Sequence, residues 1–425
     1  MCSSDLMIEA QKGTRDILPE EIGRWQFVEE RARETFERYG FGEIRTPIFE
    51  STELFARGIG EGSDIVSREM YTFVDRGGRS LTLRPENTAP VARAVLQHQM
   101  HRASGLQRLY YIGPMFRYER PQKGRMRQFH QVGVEVFGSE HPAVDAETLE
   151  MLMSFLDGLG LDDLELVLNS VGDSACRPAY RAALLAYLEP RRDTLCEDCR
   201  RRMVDNPLRC FDCKVEADRA TMAQAPAITD SLCAACREHF DRVLGLLRNY
   251  GVRHRVDPRL VRGLDYYRRT AFEVALQSLG AQNALLGGGR YDGLIRELGG
   301  PDVPGFGFAV GEERLVMALP SVRPVDRGRP EVFIAAVGEQ GVERALLVAR
   351  ALRAAGRRVV FDPLPDKSLK AQLRRANDLQ IRFVLIFGET EVKERSVTIK
   401  IMSDGSQETI AEEGVAARLR EMTGG

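Results

Sequence analysis

The chain reads as an α+β protein: a sheet-based core flanked by helices, a mainly helical insertion, and a separate α/β domain at the C-terminal end. Three observations carry that reading. Residues 107–138 hold two strand patterns around a short basic loop, as in an antiparallel hairpin. Residues 177–240 lose that alternation and become rich in Arg, Cys and Ala. Beyond residue 330, short apolar runs alternate with helical stretches.

The elements follow in order. After an opening loop, Trp25, Val28, Ala32 and Phe36 recur every three to four residues and predict a helix, stopped by Gly40 and Gly42. A strand entering at Ile44 follows. A further helix starts near Glu86, and an amphipathic helix spans Asp145 to Leu159. Strands with glycine runs return between Ala271 and Gly311. PSVRPVDRGRP, residues 320–330, combines prolines with charge and no periodicity, which marks a linker. It divides the chain into residues 1–325, with the insertion at about 177–240, and residues 326–425. In the second part Glu331–Val337, Arg358–Phe361 and Arg382–Phe387 read as strands, and Val342–Ala355 and Ser368–Asn377 as helices.

Composition narrows the function classes without choosing one. The 425 residues are 43% hydrophobic and 29% charged, enough to bury a large core. Apolar runs are broken by charge well before the roughly 18 residues that span a bilayer, and the start lacks a signal pattern, so a cytoplasmic protein with no membrane partner is expected. A net charge of −2 gives no overall pull toward nucleic acid, so any RNA contact must rest on local Lys and Arg clusters. Six of the eight cysteines form three C-x-x-C pairs, Cys196/Cys199, Cys210/Cys213 and Cys233/Cys236, the spacing of zinc knuckles. These six are candidate ligands for structural Zn²⁺, against the plainer reading of reduced thiols on a solvated insertion.

The hairpin is the most informative segment. In its second strand Val132, Val134 and Val136 point one way, while Phe129, Gln131, Gly133 and Glu135 point the other. Arg117 and Glu119 are expected to share a face of the first strand. One face is therefore core, and the other offers acids, an amide, an arginine and an aromatic ring around a glycine floor, as a charged planar ligand requires. Arg262-Gly-Leu-Asp-Tyr-Tyr267 sets a fixed positive charge close to two phenols. Gly305, Gly307, Ala309 and Gly311 alternate with Phe306, Phe308 and Val310, leaving a strand bare on one face, where a flat ligand could lie against backbone or a helix could pack. Neither a P-loop nor a dinucleotide fingerprint occurs, so if ATP binds, arginines must hold its phosphates.

Together these segments resemble the class II aminoacyl-tRNA synthetases, and among them the histidyl-tRNA synthetase family, nearly end to end and least in the insertion. Gly40-Phe-Gly-Glu-Ile-Arg-Thr-Pro47 resembles the class's first motif, Phe116-Arg-Tyr-Glu119 through Arg127-Gln-Phe129 the second, and Gly305 through Arg314 the third. Leu83-Arg-Pro-Glu-Asn-Thr88 and Arg262 through Tyr267 resemble signatures of the histidine enzymes. The resemblance implies a class II core on an antiparallel sheet, a homodimer formed through the first motif, and an anticodon-binding C-terminal domain. It further implies activation of L-histidine with ATP and Mg²⁺, and transfer of the histidyl group to the 3′ end of tRNA(His). By position, Arg117 and Arg262 would act on the α-phosphate as the catalytic pair. Phe129 and Arg314 would sandwich adenine, Arg125 would meet the γ-phosphate, and Glu119 belongs to the same ATP site. Glu86, Thr88 and Gln131 would hold the histidine α-amino group and Glu135 and Tyr267 the imidazole, with Tyr266, Arg290 and Tyr291 lining that pocket beside Arg262. The pattern departs at Asn87, where a small residue is expected; the substitution is expected to be tolerated. The basic loop 122–127 would approach the acceptor end of the RNA, and Lys367, Lys370, Arg374 and Arg375 could meet phosphates. The alternative is a catalytically inactive, synthetase-like regulatory subunit of ATP phosphoribosyltransferase. Such paralogues depart at the arginine signature and generally lack the C-terminal domain.

Overall fold

The computed structural model describes residues 8–60, 63, 65–120, 124–262, 266–276, 284–319 and 330–423. Positions 121–123 of the basic loop, 263–265 of the arginine–tyrosine segment and 320–329 of the linker lie outside the described residues. The chain divides into two compact units, Met1–Val322 and Arg323–Gly425.

In the first unit, α1 (Ile22–Arg38) precedes strands β1 (Gly42–Glu43) and β2 (Phe49–Ser51), helix α2 (Thr52–Ile59), strands β3 (Tyr71–Val74) and β4 (Ser80–Leu83), and helix α3 (Thr88–Gln97). The hairpin β5 (Gln107–Phe116) and β6 (Gln128–Phe137) leads into α4 (Pro142–Gly158) and β7 (Leu164–Ser170). The insertion is helical, with α5 (Arg177–Leu188), α6 (Glu197–Asp205), α7 (Glu216–Met222) and α8 (Ala234–Asn249) joined by short 3₁₀ turns. The chain returns through β8 (His254–Val256), β9 (Arg268–Leu276), β10 (Ala284–Arg290), α9 (Leu294–Glu297), β11 (Gly305–Gly311) and α10 (Glu312–Ala318).

Eight strands form one sheet in the order β1-β5-β6-β11-β10-β9-β7-β8. It is antiparallel from β5 to β7, and β1 and β8 add to its two edges in parallel. The sheet is thus antiparallel through its centre, as expected, and parallel only at its two edge strands. Its back face is the main core. Val132, Val134 and Val136 meet Phe306, Phe308 and Val310 there, under α1, α4 and α8. The α1 stripe of Trp25, Val28, Ala32 and Phe36 is buried as its spacing requires. Phe36 packs its ring 5.3 Å from Phe155 and 5.6 Å from Tyr110, a burial worth about 3 kcal/mol. Helix α4 is buried on more than one side, and Pro142 at its first turn and the His141 side chain, accepting the Ala143 N–H at 3.2 Å, fix its start. Its Asp145 is fully buried, which an amphipathic reading does not anticipate.

A small sheet, β2-β4-β3, lies beside this core. Ile48, Phe49, Phe73 and Val74 on and around it are exposed. The second unit runs β12 (Val332–Ala336), α11 (Gly338–Ala354), β13 (Val359–Phe361), α12 (Leu369–Asp378), β14 (Phe383–Phe387), α13 (Glu389–Glu394), β15 (Ser396–Ile401), β16 (Gln407–Ala411) and α14 (Val415–Thr423). Strands β13, β12 and β14 pair in parallel, and β15 and β16 extend the sheet antiparallel. Those last two strands were not read from the sequence, because Ser396–Ile401 and Gln407–Ala411 carry charge and threonine along with their apolar residues.

Candidate functional site

The front face of the large sheet is a cavity of about 470 Å³, and the strand register explains how it forms. Across β5, β6, β11, β10 and β9 one row of facing residues is Tyr111, Gly133, Ala309, Gly287 and Glu273; the next is Leu109, Glu135, Gly307, Gly289 and Ala271. Large polar side chains stand beside small residues in each row. A Cβ at Gly133 would collide with the Tyr111 hydroxyl, at Gly287 with the Arg262 guanidinium, at Gly305 with Tyr291, and at Gly307 with the Glu135 carboxylate and the Tyr291 hydroxyl. The bare strand therefore makes room chiefly for the pocket's own side chains. Toward its end, at Ala309 and Gly311, it also lines the cavity, and nothing lies within 4 Å of a Cβ built on Gly311.

One part of the cavity is buried, acidic and phenolic. Glu135 accepts hydrogen bonds from Thr88 Oγ1 at 2.7 Å, from Tyr111 at 3.4 Å and from the Tyr291 hydroxyl. Burial dominates its ionisation and pushes the carboxyl up to about 8, against the lowering effect of the Tyr291 and Thr88 hydroxyls. Glu86 caps α3, accepting the N–H groups of Thr88 at 2.7 Å and Ala89 at 3.0 Å; burial raises its pKa and so disfavours the carboxylate, and those N–H groups oppose the rise. Tyr266 sits with its ring 4.7 Å from Tyr267 and 5.6 Å from Tyr291. Burial raises all three phenols, so they remain donors at neutral pH. Gln131 is buried, and its Oε1 has no hydrogen-bond partner among the described residues. An orphaned acceptor beside buried carboxyls is where a ligand ammonium gains most.

The remainder is rich in arginine. Arg117 anchors its Nε on the Pro85 carbonyl at 2.8 Å and holds its guanidinium 5.3 Å from the Phe129 ring centroid. Glu119 lies 3.8 Å from Arg117 and 3.6 Å from Arg125. Arg262 is ion-paired with Glu273. Arg314 bonds the Ala284 carbonyl; burial, then the neighbouring Arg125 charge, lowers its ionisation. Strand β5 ends at Phe116, so Arg117 and Glu119 do not share a strand face as expected. They leave the sheet after the hairpin's last rung, where the Arg117 N–H bonds the Arg127 carbonyl at 2.9 Å.

The structure thus brings Glu86, Thr88, Arg117, Glu119, Arg125, Phe129, Gln131, Arg262, Tyr266, Tyr267, Tyr291 and Arg314 around one cavity, with Glu135 fully buried directly behind Thr88, Tyr111 and Tyr291 of its wall. Arg290 is not among them. It points through the opposite face of β10 into the core, fully buried, 2.9 Å from Asp145 and 2.6 Å from Asp292, with its Nη2 on the Ser139 carbonyl at 2.9 Å. The alternation of a strand sends neighbouring residues to opposite sides, and Arg290 lies on the core side. Asn87 also faces away: its Oδ1 accepts from Thr46 at 2.6 Å, inside a buried network with Arg84. Sequence reasoning missed Tyr111, Glu273 and Glu313, all on the cavity wall. Tyr111 and Glu273 stand directly opposite Gly133 and Gly287, a large–small pairing visible only once the register is known. Arg209, from the insertion, reaches the same wall.

The cysteines do not gather as three equivalent pairs. Cys196, Cys199 and Cys213 group with Asp218, their ligand atoms all within 4.8 Å of one another, and the Cys210 thiol points to the Cys199 carbonyl at 3.6 Å. Cys233 and Cys236 belong elsewhere, with Cys176 and Asp173.

A large antiparallel sheet carrying an arginine-rich cavity, with Phe129 on its hairpin and Arg314 after its glycine strand, defines a class II aminoacyl-tRNA synthetase core. The histidyl-tRNA synthetase family profile matches residues 13–315, and an anticodon-binding domain profile matches 331–422. The chain therefore belongs to the histidyl-tRNA synthetase family. It is 50% identical over 420 residues to the histidine–tRNA ligase of Syntrophotalea carbinolica, covering 99% of this chain and 100% of that one. It is equally 50% identical to that of Moorella thermoacetica, over 98% of this chain and 99% of the relative. Among solved structures, the apo Staphylococcus aureus histidyl-tRNA synthetase matches with a TM-score of 0.80 at 38% identity, over 97% of this chain and 99% of that one.

Proposed function

We infer that this cavity activates L-histidine with ATP and passes the histidyl group to the 3′ end of tRNA(His). The observation that carries the reading is the orphaned Gln131 oxygen and the phenols that cover the buried Glu135, next to Arg117, Arg125, Arg262 and Arg314 in the same cavity. Glu86, Thr88 and Gln131 would hold the α-ammonium, and Glu135 with Tyr267 the two imidazole nitrogens, with Tyr266 and Tyr291 closing the pocket. A carboxylate and a phenol read both ring nitrogens, and an apolar side chain of similar shape would leave them unpaired, so rejection by several powers of ten is expected.

Adenylate formation needs no protein nucleophile. A histidine carboxylate oxygen forms a bond to the α-phosphorus as the bond to the bridging oxygen breaks, and pyrophosphate leaves with that electron pair. Positioning and charge neutralisation suffice. Arg117 and Arg262 would flank the α-phosphate, Arg125 the γ-phosphate, and Phe129 and Arg314 the adenine. Glu119 and Glu273 are hard oxygen donors beside these arginines, the type of ligand that holds Mg²⁺ together with substrate phosphates. Bound there, Mg²⁺ would screen the charge on the departing pyrophosphate.

The exposed apolar residues Ile48, Phe49, Phe73 and Val74, next to the first-motif segment, support a homodimer. In the second unit Lys370 and Arg374 are exposed on α12, while Asp362 pairs with Arg375 at 2.8 Å and lies 3.9 Å from Lys367, which favours the first two as RNA contacts. Cys196, Cys199 and Cys213, together with Asp218, are suited to one structural Zn²⁺. The 3.8 Å between the Cys196 and Cys213 sulfurs is the separation that two Zn–S bonds of about 2.3 Å at a tetrahedral angle give. No helix among the described residues is long and apolar enough to cross a membrane; with clustered free thiols, this favours the cytoplasm.

Pyrophosphate exchange into ATP, run with each amino acid separately, tests the activity. Exchange with histidine alone is expected. No exchange with any amino acid would point to the regulatory paralogue, and exchange with another would overturn the pocket assignment.

A further inference from the structure

The base of the insertion gathers a second set of metal-ligating side chains, apart from the cavity and from the Cys196 cluster. Asp173 and Cys176 lie in the turn after β7, and Cys233 and Cys236 at the start of α8, with Cys233 57 residues from Cys176. One ligand atom from each of the four lies within 4.8 Å of all the others. Cys176 Sγ is 3.4 Å from Asp173 Oδ1. Tetrahedral zinc with bonds of about 2.3 Å to sulfur and about 2.0 Å to oxygen separates the two atoms by about 3.5 Å.

Backbone geometry supports the same assignment independently. Cys233 has φ −64° and ψ 162°, the values of Cys196, and each residue stands at the N-cap position of the helix that its C-x-x-C pair begins. At Cys196 this shape lets the sulfur accept the Cys199 N–H at 3.4 Å. At the base, the Cys233 N–H donates to Cys176 Sγ at 3.2 Å, the kind of bond that supports a thiolate ligand. Gly172, at φ +62°, leaves room for the turn; a Cβ there would press on Cys176 Cβ at 3.0 Å. Cys176 and Cys236 are buried. Three thiolates and a carboxylate would leave a zinc complex with a net charge of about −2; Arg269, 3.9 Å from Asp173, offsets part of it.

We propose that Asp173, Cys176, Cys233 and Cys236 bind one Zn²⁺ that fastens the two ends of the insertion together. The clasp also borders the histidine pocket. Val171 and Gly172 exchange backbone hydrogen bonds with Arg269, at 2.7 and 2.8 Å, and Arg177 at the start of α5 bonds the Tyr267 carbonyl. The ion thus holds the turn from which Arg177 reaches the pocket wall. The assignment rests on the insertion alone and stands whether or not the chain activates histidine.

Zinc content of the purified full chain tests it. Two ions per chain are expected, falling to one in Cys176→Ser, to one in Cys199→Ser, and to none in the double variant. Cobalt loaded into Cys199→Ser should give the d–d and thiolate charge-transfer bands of a tetrahedral S₃O site, lost when Cys176→Ser is added. The wild-type chain supplies a check that needs no variant: in alkylation of the native protein, Cys176, Cys233 and Cys236 should be protected with zinc present and react once it is removed by a chelator. Unchanged zinc content in Cys176→Ser, alkylation insensitive to zinc, or a disulfide between Cys176 and either partner would overturn the proposal.

Discussion

In the proposed pocket, Glu135 makes histidine binding a proton-linked event whose size follows from the structure. The free protein holds its carboxyl at about 8, chiefly by burial. At pH 7 it is therefore protonated in about nine-tenths of the molecules. Neutral imidazole donating one N–H to Glu135 and accepting the Tyr267 hydroxyl needs the carboxylate, so binding must expel that proton. The cost at pH 7 is about 1 kcal/mol, on the order of tenfold in affinity, and histidine affinity should rise by roughly tens of fold between pH 6 and pH 8. Titration calorimetry at pH 7 in two buffers of different ionisation enthalpy counts the protons. Because the ligand's own imidazole also titrates, the quantity to read is the difference from Glu135→Gln, expected to be about 0.9 proton at pH 7 and about 0.5 at pH 8. The variant should also lose the steep rise in affinity. Equal proton release from both proteins would refute the reasoning, either because Glu135 does not meet the imidazole or because it passes its proton to the ring. The same shift fixes a stability sign. A carboxyl raised from 4.5 to about 8 stabilises the unliganded fold fully below its unfolded value, and that contribution is lost as pH rises through about 8.

Arg290→Met should cost about 3–5 kcal/mol in urea unfolding, because it strands the buried Asp145 carboxyl, yet leave the histidine KM of the folded fraction unchanged; a selective rise in KM would return Arg290 to the pocket. Glu312, buried with neither oxygen partnered among the described residues, is raised to about 9 by burial and by the nearby Glu29 and Glu313. Its proton-linked stabilisation is likewise lost as pH rises through about 9, so Glu312→Gln should raise Tm relative to wild type by a margin that grows from pH 6 to pH 9. A margin that stays constant would contradict that assignment. Gly311→Ala, with φ −69° and open space at its Cβ, should leave Tm unchanged while raising the ATP KM about tenfold, equivalent to roughly 1.4 kcal/mol. Unchanged ATP kinetics would show that the strand's open end carries no ligand.

The amino-acid sequence by itself determined which face of each strand would be polar. The two-residue period of Val132 to Glu135 and of Gly305 to Gly311 is a property of the backbone, and the structure places the valines in the core and Glu135 on the opposite face, behind the cavity's Thr88 and Tyr291. It likewise determined the α1 stripe, the helical insertion and the change of pattern beyond residue 330, because periodicity and glycine or proline breaks act locally. Register and side-chain partnership are not local. That Tyr111 occupies the space over Gly133, that Glu273 neutralises Arg262, and that Arg290 turns into the core toward Asp145 depend on which strands lie side by side. The same holds for the cysteines. Spacing paired Cys233 with Cys236, but only the folded insertion joined them to Cys176 and Asp173, because a ligand set is defined by distances among atoms far apart along the chain.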